Sequence, residues 1–159
     1  MESNEVMKTG DWPMGGTFVG TFTHSLDTKK RLTIPSDWRE MAGDPRFFVL
    51  PGVNLKCLYV FPAQEMMRRL EKFRNVSIAD AKAQQFARTF FSRANQVPWD
   101  SQGRIRVGDD LLEYAGLLNQ VMLVGIGNRF ELWSPEQWKE QNAQVEPSSF
   151  VEAAQYIGF

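Results

Sequence analysis

The chain has 159 residues, of which 43% are hydrophobic and 23% charged, with a formal net charge of −1 and a pI near 5.9. That balance fits one folded domain or two small interlocked units, and it excludes a disordered chain. It also excludes a protein that coats nucleic acid through its overall field, so any such contact has to come from local basic patches.

The first 16 residues are polar, contain Gly10, Gly15 and Gly16 and lack periodicity, which reads as a flexible leader. Residues 17–26 alternate as a strand does, residues 27–30 form a turn, and residues 32–34 return. Pro35 stops that strand, and Ser36 is placed to cap a short helix over 37–42 that Gly43 ends. Residues 47–50 and 58–61 are two further strands. Pro62 opens a helix to about residue 73. A capping box at Ser77 and Asp80 starts the next, to about residue 93. Its Phe86, Phe90 and Phe91 are expected in the core or at a subunit interface. Residues 96–99 and 104–107 are strands around the turn 100–103, and a short helix over 109–115 ends at Gly116. Residues 121–125 and 129–133 are the last strands, with Trp133 and Trp138 as packing anchors. Ser134 opens a third long helix, and residues 147–149 start a C-terminal one that ends at Gly158.

The same pattern occurs twice. Residues 27–31 read DTKKR and residues 100–104 read DSQGR, at an offset of 73 (100 − 27). The register continues without a gap to Gly43 and Gly116, and six of those 17 positions are identical. An internal repeat accounts for this. It divides the chain into a first repeat (17–64), connecting helices (65–93), a second repeat (94–137) and C-terminal helices (138–159). A few short strands and one stub helix cannot bury a core alone, so the two units must pack on each other. The expected fold is an α+β, β-rich barrel with internal pseudo-symmetry and flanking helices.

Asp at the start of a tight turn accepts backbone N–H bonds from residues two or three further on. Asp27 and Asp100 therefore pin their turns, and each can brace the arginine four residues on, Arg31 or Arg104, through charge-assisted bonds. A braced guanidinium loses less entropy on binding. Arginine also suits both guanine edges and phosphate. Lys29 and Lys30 add salt-sensitive phosphate attraction, and Arg106 is placed to help the second turn. These residue types also fill ordinary exposed hairpins, so a folding turn and a contact element both stay open. The copies differ at two positions. Lys30 replaces Gly103, which implies backbone strain if both are left-handed, and Gly108 replaces Pro35, which implies a looser strand end.

Elsewhere the chain offers little chemistry. His24 and Cys57 are the only soft ligands and show no zinc spacing, so no metal or cofactor is expected. Nothing local marks either residue as activated, so no enzyme is expected. The longest apolar runs are too short for a bilayer, the first residues are not a signal peptide, and Cys57 has no disulfide partner. A cytoplasmic protein without membrane or small-molecule partners is the expectation.

Several stretches resemble the MraZ family of bacterial regulators. They are TFVG at 17–20, HSLD at 24–27, RLTIP at 31–35, GRI at 103–105, EYAGL at 113–117, VMLVG at 121–125 and NRFELW at 128–133. The likeness covers residues 17 to about 140, and the last blocks are the most specific. It implies two SpoVT-AbrB-like units of swapped-hairpin type and a ring of many subunits. It also implies sequence-specific binding to repeated promoter boxes of the division and cell-wall gene cluster, usually to repress, on the nucleoid. In that family the D-x-x-x-R pattern contacts DNA, which implicates Asp27 and Arg31, Asp100 and Arg104, with Lys29 at a commonly basic position. Lys30 departs from the usual Gly there, and Gly108 from a common Pro. A ring would combine many weak basic tips through high effective concentration. The alternative is a ring-forming interaction scaffold that does not bind DNA.

Overall fold

A computed structural model describes residues 17–159, so the leader expected over 1–16 lies outside the described residues. The chain is mixed α+β, with eight strands and six helices among the described residues. The first half runs β1 (Thr21–Ser25), β2 (Arg31–Thr33), α1 (Ser36–Ala42), β3 (Arg46–Pro51), β4 (Leu58–Pro62), α2 (Ala63–Glu71) and α3 (Ala81–Phe91). The second half repeats that order as β5 (Asn95–Pro98), β6 (Arg104–Arg106), α4 (Asp109–Ala115), β7 (Gln120–Gly125), β8 (Phe130–Trp133), α5 (Pro135–Ala143) and α6 (Pro147–Ile157).

Six strands form one antiparallel sheet in the order β1-β7-β8-β4-β3-β5, and β2 pairs with β6 in a separate ribbon. Exchanging the two halves reverses the sheet order onto itself. A pseudo-two-fold therefore relates the repeats, and each lends its first two strands to the other. In the ribbon Arg31 pairs with Arg106, Leu32 with Ile105 and Thr33 with Arg104. Leu32 and Ile105 are repeat counterparts, so the axis passes between them. Both are buried in the core together with Ile34 and Val107.

The helices α1 and α4 close this core from matching positions. Trp38 of α1 packs edge-on to Phe18 at 5.8 Å and against Phe130 at 4.7 Å. Its counterpart Leu111 is fully buried in α4. Three of the six identities between the repeats follow from this architecture. Ala42 and Ala115 are both buried in the shared core. Gly43 and Gly116 both end a helix at positive φ, +77° and +66°. Asp37 and Asp110 both sit in a helix's first turn, where the helix dipole favours an acid. Nothing in the structure explains why Glu40 and Glu113 match.

Local chemistry corrects several expectations. Ser36 does not cap α1; the cap position is Pro35, already extended at φ −52°, with no side-chain bond. Asp80, not Ser77, caps α3 by accepting from Ala83 N at 3.1 Å, while Ser77 Oγ accepts from Ala79 N ahead of the helix. Ser134 does cap α5, accepting from Gln137 N at 3.1 Å. The first strand is shorter than its alternation suggests, because Gly20 turns at φ +94° and leaves Phe18 as an isolated bridge to Gly127. The end of β6 is not loose. Gly108 N donates to Asn95 Oδ1 at 2.7 Å, a bond that a proline could not make. Trp133 and Trp138 do pack together, with centroids 5.5 Å apart. No helix among the described residues is long and apolar enough to cross a membrane.

Candidate nucleic-acid interface

Both duplicated turns have the same bond pattern. In the first, Asp27 Oδ1 accepts from Lys29 N at 2.9 Å and Arg31 N at 2.8 Å. Its Oδ2 accepts from Arg31 Nε at 2.7 Å. In the second, Asp100 Oδ1 accepts from Gln102 N at 2.9 Å and Arg104 N at 3.0 Å, and Oδ2 accepts from Arg104 Nε at 2.9 Å. Asp27 N donates to Arg31 O, and Asp100 N donates to Arg104 O, closing each turn. One carboxylate thus holds the turn with one oxygen and aims a guanidinium with the other. The repeat's two remaining identities, the aspartate and the arginine, are the parts of this brace.

The Arg31 backbone N–H, then its guanidinium, holds the Asp27 carboxyl below the usual range. The same two donors on Arg104 hold Asp100 down to about 2. Both acids stay ionised at neutral pH, so each arginine keeps its partner. The arginine side chains remain a quarter to a third exposed, 30% for Arg31 and 24% for Arg104.

The fold brings the two turns together. Arg104 Nη1 lies 3.9 Å from Asp27 Oδ2, and Ile34 N donates to Gly103 O at 2.9 Å. Antiparallel pairing puts alternate residues on one face. With Leu32 and Ile105 buried beneath, Arg31, Thr33, Arg104 and Arg106 share the outer face of the ribbon.

Each turn is completed from the other repeat, which alters two expectations. Arg106 joins the first turn rather than the second. It pairs in register with Arg31, donates to Val107 O, and shares Asp109 with Lys30 at 3.0 and 3.3 Å. Its guanidinium, followed by the Lys30 ammonium, lowers the Asp109 carboxyl below its ordinary value. The second turn gains Arg39 of α1, which the sequence reading missed. Arg39 Nε donates to Ile34 O at 3.1 Å, and its guanidinium covers Gly103 so closely that a Cβ there would stand 2.5 Å from Cζ. The counterpart of Arg39 is Leu112, so the only signal in the sequence was a charge where the other repeat is apolar.

The difference between Lys30 and Gly103 now has a cause. Both are left-handed, at φ +61° and +77°. Gly103 lies buried under the Arg39 guanidinium, which a side chain there would have to displace, whereas Lys30 is exposed and projects toward Asp109. Left-handed strain at a non-glycine residue is of the order of 1 kcal/mol, and here it positions a cation.

Cys57 is fully buried, and burial pushes its thiol pKa up, the reverse of an activated nucleophile. His24 lies in β1 opposite Val121.

The sequence model of the family described as "MraZ protein" matches residues 17–89 and again 90–158. The chain belongs to the MraZ family. Proteins named "Transcriptional regulator MraZ" are similar over most of its length. The one from Clostridium acetobutylicum is 39% identical over 142 residues, covering 89% of this chain and 99% of its own. The one from Desulforamulus reducens is 41% identical over 140 residues, covering 88% and 96%. A third, from Symbiobacterium thermophilum, is 38% identical over 141 residues, covering 89% and 100%. The two consecutive family matches agree with the pseudo-two-fold, in which the second half repeats the element order of the first.

Proposed function

We propose that this member of the MraZ family is a sequence-specific DNA-binding transcriptional regulator that represses the division and cell-wall gene cluster. In this reading it acts in the cytoplasm, on the nucleoid, and binds repeated promoter boxes as a ring-shaped homo-oligomer. The supporting observation is that two aspartate-braced arginines, one from each repeat, share one exposed ribbon face. Asp27 and Asp100 orient, Arg31 and Arg104 contact bases, and Lys29, Lys30 and Arg106 hold phosphates. Half to two-thirds of the bonds in such interfaces go to the backbone, so one basic patch serves positioning and base reading together. The relatives' shared name supports regulation of transcription. The buried, raised thiol of Cys57 supports a non-enzymatic role.

The reading includes two SpoVT-AbrB-like repeats closing into a barrel, with the ribbon as its seam. What favours closure is that the sheet's edge strands β1 and β5 run through the two braced turns into β2 and β6.

Footprinting on DNA upstream of the chain's own gene tests the function. Protection of regularly spaced boxes, with affinity falling steeply as salt rises, is the expected result. No protection at any salt concentration, from a chain that still assembles, would leave the ring-forming scaffold in its place.

A further inference from the structure

The cations assigned above to phosphates, Lys29, Lys30 and Arg106, all gather at the first turn. At the offset of 73, each has an uncharged counterpart at the second turn. Gln102 stands for Lys29, Gly103 for Lys30 and Thr33 for Arg106. Asp109, which Lys30 and Arg106 share, gives way to Ser36. Residues 95–103 carry no lysine or arginine, so the strand and turn leading to Arg104 supply no second cation.

Helix α1 brings one in. Arg39 lies in its last turn, and its counterpart Leu112 is buried, so this place in the fold does not itself call for a charge. Arg39 Nε donates to Ile34 O, and Nη2 comes within 2.8 Å of where a Cβ on Gly103 would stand. Ile34 N in turn donates to Gly103 O, so the guanidinium is tied to the second turn through its neighbour strand. Among the described residues, the terminal nitrogens of Arg39 have no hydrogen-bond partner, and neither is buried. The three acids of the ribbon are engaged elsewhere: Asp27 with Arg31, Asp100 with Arg104, and Asp109 with Arg106 and Lys30. One edge of the Arg39 fork is thus fixed by the protein, while its terminal donors and its charge remain open to an anion.

We infer that Arg39 grips a DNA backbone phosphate beside the base that Arg104 reads. Each turn of the ribbon then has a base-reading arginine and a phosphate-holding cation, supplied by the turn itself in the first repeat and by α1 in the second. The bond from Nε fixes the plane of the guanidinium before DNA arrives, which reduces the entropy lost on binding. A backbone contact adds affinity and register without choosing sequence. The inference deepens the DNA-binding reading above and rests on it, but it does not depend on the ring.

Anisotropy titrations of the full chain on the promoter fragment and on an unrelated duplex, over a series of salt concentrations, test it. Arg39→Gln removes the charge and keeps an N–H donor for Ile34 O. Arg39→Leu, the residue of the other repeat, is a second neutral variant, and Arg39→Lys keeps the charge. The neutral variants are expected to weaken binding to both duplexes by a similar factor. They are also expected to lower the slope of log affinity against log salt by about 0.9 for each engaged chain, whereas Arg39→Lys keeps the parental slope. A parental slope in a neutral variant that keeps the parental fold overturns the inference and leaves Arg39 as a prop of the turn. An equal fall in the neutral and lysine variants also overturns it, because the effect then does not follow the charge. So does a loss confined to the promoter fragment, because a phosphate contact is blind to sequence. A parent chain that binds neither duplex overturns the DNA-binding reading and this inference together.

Discussion

Arg104 Nη1 stands 3.9 Å from Asp27 Oδ2, so the acid of the first turn faces the arginine of the second. The two turns therefore adjoin, and the acid at their junction orients Arg31 and attracts Arg104. Asp27→Asn keeps the shape and removes the charge. It is expected to weaken DNA binding about two- to tenfold, since Arg31 is left to be ordered at the moment of binding, at ~0.5–1.5 kcal/mol, while Asp100 still holds Arg104. Fluorescence anisotropy on the promoter fragment reads this directly. An unchanged affinity would show that the brace serves the turn alone.

The two left-handed positions should respond in opposite ways. Gly103→Ala meets the backbone penalty and has to displace the Arg39 guanidinium, and is expected to cost about 1–2 kcal/mol in urea unfolding. Replacing Arg39 with leucine, its repeat counterpart, should recover only part of that loss, because the φ of +77° remains. Lys30→Gly should stabilise by a few tenths to about 1 kcal/mol. The same change should lower the salt dependence of DNA binding by about one phosphate contact.

Much of this arrangement was legible in the residues. The 73-residue offset located both turns, both short helices and the brace, because a tight turn and its Asp–Arg pair are set by local geometry. What the sequence could not carry was the exchange between repeats. Arg106 reads as a neighbour of Arg104 along the chain, but strand pairing sets it opposite Arg31. Arg39 reads as an ordinary helix charge, and only the packing of α1 on the second turn gives it a place over Gly103. The caps of α1 and α3 were misplaced for a smaller reason. Ser36 and Ser77 both have suitable neighbours, and the backbone begins each helix at the alternative.

The acid that braces the second turn gives a pH signature. The folded-state value of Asp100, about 2, lies below its ordinary 3.8. The stabilisation it provides is therefore fully present above about pH 4 and is lost as the pH falls through about 2. Asp100→Asn is expected to lower the melting temperature at pH 6, and the gap from the parent chain should close toward pH 2. A gap that stays constant over that range would mean that the carboxylate charge contributes nothing to the turn.

The measurement closest to the central claim is promoter binding by the chain carrying both Arg31→Ala and Arg104→Ala, with its mass checked by light scattering. Loss of specific binding by about thirtyfold or more, with parental mass, is the expected result, since each arginine proposed to read a base would contribute ~1–3 kcal/mol. Parental affinity in that double variant would contradict the assignment of the duplicated turns as the DNA-contacting element.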